Sequence, residues 1–507
     1  MGQRLTQICA SIYALLEPSQ RVSAKELWSE IARNVVEEFD DIYLYSDDLG
    51  YRICIRTAPS LSPDKVLARY RTIEASIRRQ SGSRTLLDLS VGNLFCEAQS
   101  ESVQRLHVVN DPKYALWARR AGQVPLLEHV RLIEQFAEHV MDAGWMLEQH
   151  DLTPFRVPPP KVRNGRSEYL LPTKGFGQLA RYPILDIAGD TEFVVVGKGP
   201  SARRAAASLE QGFSRCFSSG SLRSATVSCA DRVALSAISL VLLDDYEDLT
   251  QNHKLKDILR NAEAEGCRFK LAKAGSLSKP YPTQNIAYDL FMIAGGRPWE
   301  PADSQPAFCS IDAGHSAEQG KSRWVKVESD TQQRIFDIKA MLTPLAEQVP
   351  IDCIDALWPL QEGAIACRDG RLSQERGQLE ERAASENRSL LEVKKKPKAI
   401  LWCTDGERIL PAEFGDAVLD EHGDVLLQTV PQNVGDYIHP VRLSTLRGHE
   451  EALASSFLHQ HAMPGLSLFH MSRLPGTLYL ADLISKLTAD GWPKVIGRGF
   501  RLPSLVP

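Results

Sequence analysis

Three aspartates stand where carboxylates can meet. Asp312 closes the apolar run Ala307-Phe308-Cys309-Ser310-Ile311, and Asp369 closes Gly363-Ala364-Ile365-Ala366-Cys367-Arg368. Each is followed within two residues by a glycine, and a third, Asp482, lies in the helical stretch Leu480-Ala481-Asp482-Leu483. Carboxylates at the ends of two strands, joined by one from a packing helix, form a cage for divalent metals. Two such ions held about 4 Å apart stabilise both the attacking and the leaving oxygen of a phosphodiester, so the chemistry indicated is phosphodiester hydrolysis. Taken singly, an aspartate after a strand is ordinary turn chemistry. The signal is the repetition.

Other candidates weaken on inspection. His459-Gln460-His461 with His470 has no carboxylate or cysteine at a metal-ligand spacing, so buried or exposed histidines are the better reading. Gly197-Lys198-Gly199-Pro200 lacks the Gly-Lys-Ser/Thr ending of a phosphate loop, which removes support for nucleotide hydrolysis. Lys394-Lys395-Lys396-Pro397-Lys398 reads as a solvated loop, with contact to a nucleic-acid backbone as the sharper alternative.

The elements that must position these groups follow from pattern. Ser23 and Glu26 form a capping box ahead of the stripe Leu27, Ile31, Val35 and Val36, so a helix is expected there. Residues 41–45 and 51–55 read as short strands, and 126–147 as a long helix. Pro154, Pro158-Pro159-Pro160 and Asn164-Gly165-Arg166 give a stiff basic linker, placed at 151–180. Beyond it, Glu192-Phe193-Val194-Val195-Val196 and 237–243 are strands apolar on both faces, alternating with helices at 202–213 and 252–264. That alternation predicts a parallel sheet covered on both sides. Further strands are expected at 307–312, 323–327, 363–369 and 398–403, and helices at 332–347 and 478–490.

Composition bounds the rest. The chain has 507 residues, 43% hydrophobic and 24% charged, enough for three or four domains and too apolar for a disordered chain. No stretch approaches the roughly 20 apolar residues of a membrane span. The first residues show no basic region followed by an apolar one, so no secretory leader is expected. Ten scattered cysteines without a C-x-x-C pair suit reduced, cytoplasmic thiols. The net charge of −5 gives no hint of a nucleic-acid partner, but 156–299 carries a basic surplus and is the block suited to phosphate.

With these residues in view, the region from about 170 to 507 resembles the MID and Piwi domains of Argonaute proteins. Phe308-Cys309-Ser310-Ile311-Asp312-Ala313-Gly314-His315 looks like the first Piwi strand with its metal-binding aspartate. Arg368-Asp369-Gly370-Arg371 matches the family's R-D-G motif, and Leu474 to Leu483 resembles the C-terminal motif that completes the set. Gly295-Gly296-Arg297-Pro298-Trp299 is similar to the MID–Piwi junction. The resemblance implies an α/β chain: a Rossmann-like MID domain at 181–300, an RNase H-like Piwi domain at 301–507, and an added α+β N-terminal domain at 1–150. It also implies Mg2+ or Mn2+, mainly at a guide 5′-phosphate, with the terminal residue Pro507 near that end.

Departures from the family are informative. The glutamate "finger" of active members aligns with Gln333, a neutral amide, although Glu328 or Asp337 supplies the charge if the register differs. The phosphate-binding tyrosine and lysine fall on Asn252 and Lys256, with His253 alongside. The loop position is Lys270, near Arg268, and a second family lysine falls on apolar Ile293. The resemblance implies a short Argonaute without a PAZ domain. It would use guide RNA or DNA to bind a complementary target, with an impaired nuclease, and would activate a separate nuclease or NAD-degrading, APAZ-containing effector in defence against plasmids or phage. An active guide-dependent endonuclease and a scaffold that binds no guide stay open as alternatives.

Overall fold

The computed structural model describes residues 7–16, 23–39, 42–47, 50–79, 85–98, 106, 113–171, 181–185, 191–197, 199–217, 226–230, 238–243, 261–262, 265, 267–316, 320–345, 349, 351–370, 375–431, 439–463, 473–474 and 476–489. The chain forms two compact units, Met1–Arg156 with Lys395–Arg442, and Val157–Lys394 with Leu443–Pro507.

The first unit is built on β1 (Gln7–Ala10), β2 (Ile12–Leu16), α1 (Ala24–Glu38), β3 (Ile42–Asp47), β4 (Gly50–Leu61), β5 (Leu67–Arg79), β6 (Thr85–Glu97), α2 (Ala115–Gly122), α3 (Leu126–Asp142), β7 (Met146–Gln149) and β8 (Thr153–Arg156). Its antiparallel sheet has the order β3-β4-β5-β6-β2-β7. The capping box forms as expected: Glu26 donates its backbone N–H to Ser23 Oγ at 3.2 Å, and Ser23 returns one to Glu26 Oε2 at 2.7 Å. Leu27, Ile31 and Val35 of α1 then pack with Ile133, Phe136 and Val140 of α3 against Leu87 and Leu89 of β6. Residues 395–442 join this unit through strand pairing and charge. Leu401–Thr404 pairs antiparallel with β1. Arg78 meets Asp420 at 2.7 Å and Asp424 at 2.9 Å, while Arg442 meets fully buried Asp88 at 2.6 Å. The strand expected at 398–403 therefore exists as Leu401–Thr404 and belongs to this unit.

The second unit contains β9 (Lys161–Arg163), β10 (Glu168–Leu170), β11 (Glu192–Val196), α4 (Gly199–Cys216), β12 (Thr226–Ala230), β13 (Ile238–Leu243), β14 (Arg268–Lys273), α5 (Pro280–Ile293), β15 (Glu300–Pro301), β16 (Phe308–Ser316), β17 (Lys321–Ser329), β18 (Ile335–Pro344), α6 (Ile351–Leu357), β19 (Ile365–Asp369), α7 (Arg376–Ser385), β20 (Leu390–Lys394), α8 (Glu450–His459) and α9 (Gly476–Ala489). Strands β12-β11-β13-β14 form a wholly parallel sheet. Phe193, Val195, Ile238 and Leu240 face α4 and α5, whereas Val194, Val196, Phe269 and Leu271 fill the opposite face. Both faces are apolar, as continuous hydrophobic runs require.

Strands β18-β17-β16-β19-β20 run side by side as part of a longer sheet, antiparallel through the first three strands and parallel through the last three. One face packs Ile311, Trp324 and Ala366 against Leu357, Trp358 and Leu379 of the α6–α7 side. The other packs Val325, Val327 and Ile338 against Leu480, Ala481 and Ile484 of α9. The expected helix at 332–347 is instead β18. Its Ile335, Ile338, Met341 and Leu342 imitate helical spacing, but pairing with β17 overrides that pattern, with Ile335 and Ile338 packed on the α9 side, Met341 on the α6–α7 side and Leu342 left exposed. Asp330 sets the preceding turn by accepting from the backbone N–H groups of Gln332 and Arg334 at 2.8 and 2.9 Å.

Candidate functional site

The two apolar strands that end in aspartate lie side by side. Ile311 of β16 pairs in parallel register with Arg368 of β19, so Asp312 and Asp369 follow at neighbouring positions. Strand parity does the rest. Ile311 and Ala366 point into the α6–α7 core, which turns Asp312 and Asp369 toward α9. There Asp482 completes the group: one ligand atom from each of Asp312, Asp369 and Asp482 lies within 4.8 Å of the others. After Asp369 the chain turns sharply through Gly370 at φ +83°, whose N–H donates to Val393 O at 2.9 Å.

Asp312 is nearly buried, and its two oxygens are held separately. Oδ1 accepts from the Ala313 N–H at 2.8 Å, while Ser485 donates to Oδ2 at 3.4 Å. Ser485 sits three residues beyond Asp482 on the same helical face, and its single hydroxyl proton is shared between Asp312 Oδ2 and the main-chain O of Asp482 at 3.0 Å. On the reverse face of the sheet, Arg368 is buried beneath Asp369, its guanidinium 4.9 Å from the Trp324 ring centroid and 3.7 Å from Glu375. Burial pulls this guanidinium below its ordinary range, opposed by the charges of Glu375, Asp312 and Asp369. Ser485 and Glu375 escaped the sequence reading, whereas Arg368 entered it only as part of the R-D-G motif. Ser485 was signalled only by its one-turn offset from Asp482.

Three carboxylates present hard oxygen donors, the set that Mg2+ and Mn2+ take. Oxygens on opposite sides of one such ion stand about 4.2 Å apart, so the spacing suits a shared cation. Neither alternative fourth acid is near at hand for this role. Lys326 Nζ meets Glu328 at 3.1 Å and Asp337 at 2.6 Å, and Glu328 also accepts from the N–H groups of Leu360 and Gln361 at 2.9 Å. Gln333 is fully buried in the turn before β18 at φ +59°, and its carbonyl oxygen accepts from Gln460 Nε2. A buried polar chain runs on from Gln460 to Thr477 at 3.4 Å and from Thr477 to Ser310 at 2.7 Å.

The cationic residues are brought together only in part. Arg268 and Lys270 lie on alternate positions of β14, sharing the face toward α5. Lys270 is buried, and its ammonium forms an ion pair with Asp289 of α5 at 2.9 Å. Ile293 is a core residue of the same helix. Asn252, His253, Lys256 and Pro507 lie outside the described residues, as do Lys198 and His470. His461 is wholly buried and His459 largely so. Among the described residues, the aspartate triad is the sole cluster of three or more acidic, histidine or cysteine side chains spaced for a metal.

No family model and no curated protein matches this sequence. Solved structures do match. The Argonaute of Clostridium butyricum bound to a guide DNA and a 19-mer target DNA aligns at 11% identity with a TM-score of 0.65, covering 97% of each chain. Aquifex aeolicus Argonaute aligns at 12% identity and 0.64, covering 99% of each. Marinitoga piezophila Argonaute in complex with 5′ OH guide RNA and target DNA gives 12% identity and 0.64, covering 92% of this chain and 86% of the other. The chain has an Argonaute-like α/β fold. Among the described residues, no helix is long and apolar enough to cross a membrane.

Proposed function

We propose that this chain is a cytoplasmic, guide-dependent nucleic-acid-binding protein of the short Argonaute type, impaired as a nuclease, that recognises invading DNA or RNA and switches on a separate effector. The observation that carries the reading is the meeting of Asp312, Asp369 and Asp482 on β16, β19 and α9. This occurs within a sheet whose strand order and mixed direction suit an RNase H-like Piwi domain. The neighbouring parallel sheet suits a Rossmann-like MID domain. Argonaute structures of the same fold hold guide and target strands, and transfer of that role rests on fold and site together. Base pairing then selects the target while the protein grips backbone and duplex shape. Duplex formation supplies the differential binding energy that an effector switch needs.

Electrostatics favours impairment. Asp312, Asp369 and Asp482 would hold Mg2+ or Mn2+, which when bound polarises a phosphodiester and activates water. Three carboxylates offset only part of the charge of two divalent ions. Glu328 and Asp337 are committed to Lys326, and Gln333 brings no charge. One ion is well matched and a second is not. The assembled triad nonetheless favours, as a second reading, an endonuclease completed by a further acid.

The test incubates the purified chain with a 5′-phosphorylated guide and a labelled complementary strand, with Mg2+ or Mn2+. Guide-dependent retention of an uncut target is the expected result. Cleavage abolished by Asp369→Ala would establish the second reading, and no retention of guide or target would overturn both.

A further inference from the structure

The first unit contains a half-open cavity of about 480 Å3, within the size range of small-molecule sites. β5 and β6 supply its floor, α2 and the start of α3 one wall, and Lys396-Pro397-Lys398 another. Its charge opposes that of the chain. Arg119, Lys396 and Lys398 line it against a single carboxylate, Glu74, in a protein of net charge −5. That carboxylate is already committed to Lys398. Glu74 can occupy its place only because residue 92 is glycine: a Cβ there would stand 2.2 Å from Glu74 Oε1. Arg119 and Lys396 form no ion pair among the described residues.

The remaining lining is rigid and partly apolar. The Asn93 amide is fixed between Arg71, at 2.6 Å, and Gly122 O, at 2.9 Å. His129 accepts from the Val91 N–H at 2.7 Å and meets the His439 ring edge-on at 6.1 Å. Val91, Phe95 and Val124 add apolar surface beside these rings. Two uncommitted cations, aromatic and imidazole rings and a volume of this size suit one ligand class. We infer that this cavity binds a nucleoside phosphate, with Arg119 and Lys396 holding the phosphate and the apolar wall contacting the base.

The same chemistry is presented by a free mononucleotide and by the terminal nucleotide of a strand, and the experiment separates them. Calorimetry on the full chain would compare AMP, adenosine, inorganic phosphate and a 5′-phosphorylated oligonucleotide. AMP is expected to bind at least 10-fold more tightly than adenosine or phosphate. The exposed double variant Arg119→Glu/Lys396→Glu should weaken AMP at least 10-fold, while Asp369→Ala leaves it unchanged. Competition by the oligonucleotide would identify a strand end as the source, and its absence a free nucleotide. Equal AMP affinity in the double variant and the parent, or no AMP binding at millimolar concentration, overturns the inference.

Discussion

A carboxylate is a good metal ligand only when its orientation is fixed before the ion arrives. Asp312 meets that condition through two donors, the Ala313 N–H and the Ser485 hydroxyl. Ser485 belongs to the helix that also carries Asp482, so its bond to Asp312 ties that carboxylate to the helix bearing another ligand. Partners of this kind are worth roughly 10–100-fold in metal affinity. Ser485→Ala should therefore weaken Mn2+ binding by that factor in calorimetry, with the far-ultraviolet spectrum unchanged. Asp369→Asn should abolish the same heat. Undiminished Mn2+ affinity in Ser485→Ala would show that the hydroxyl merely fills space.

At the scale of elements, the two aspartate-tipped strands were legible because each is a continuous apolar run ended by a carboxylate and a glycine. Their adjacency came from the resemblance to Piwi domains, since pairing order leaves no mark within either strand. The segment 332–347 misled because Ile335, Ile338 and Met341 fall at helical intervals while packing on the two faces of a strand. The strand expected at 398–403 exists, and its partner, which the pattern did not indicate, is β1, nearly 400 positions away. The hidden cost of this sheet is a buried lysine. Burial alone would lower the Lys326 ammonium, yet the Asp337 hydrogen bond and the surrounding negative charges leave it raised. Removing it strands two acids, one fully buried, and breaking such a network costs about 3–5 kcal/mol. Lys326→Met should lower stability by that amount in urea unfolding, and Lys326→Met/Glu328→Gln/Asp337→Asn should recover part of the loss. A neutral single variant would contradict the network.

For the molecule as a whole, each unit carries a deeply buried histidine held neutral by its surroundings, and burial also lowers His150 and His459. In the first unit, burial, then the charges of His439 and Arg71, pull His129 down to about 3. In the second, burial alone takes His461 to about 3. Both are depressed from an ordinary 6.5, so the unfolded chain binds more protons than the folded chain between pH 6.5 and 3. The stability these rings confer is complete above pH 6.5 and disappears as the pH falls through that window. The slope approaches about 1.4 kcal/mol per pH unit for each ring, or roughly 2 kcal/mol each between pH 7 and 5. Carboxylates add their own acid loss, but mostly below pH 5, so the interval from 7 to 5 isolates the imidazoles. His129 must keep an acceptor for the Val91 N–H, which makes His129→Gln the informative replacement there, whereas His461→Leu suits the fully enclosed site. Urea unfolding at both pH values should show the parent losing stability between them, each variant losing less, and the double variant least, with a residual slope left by His150 and His459. A parent and double variant with the same pH dependence would mean that neither ring stays neutral in the folded chain.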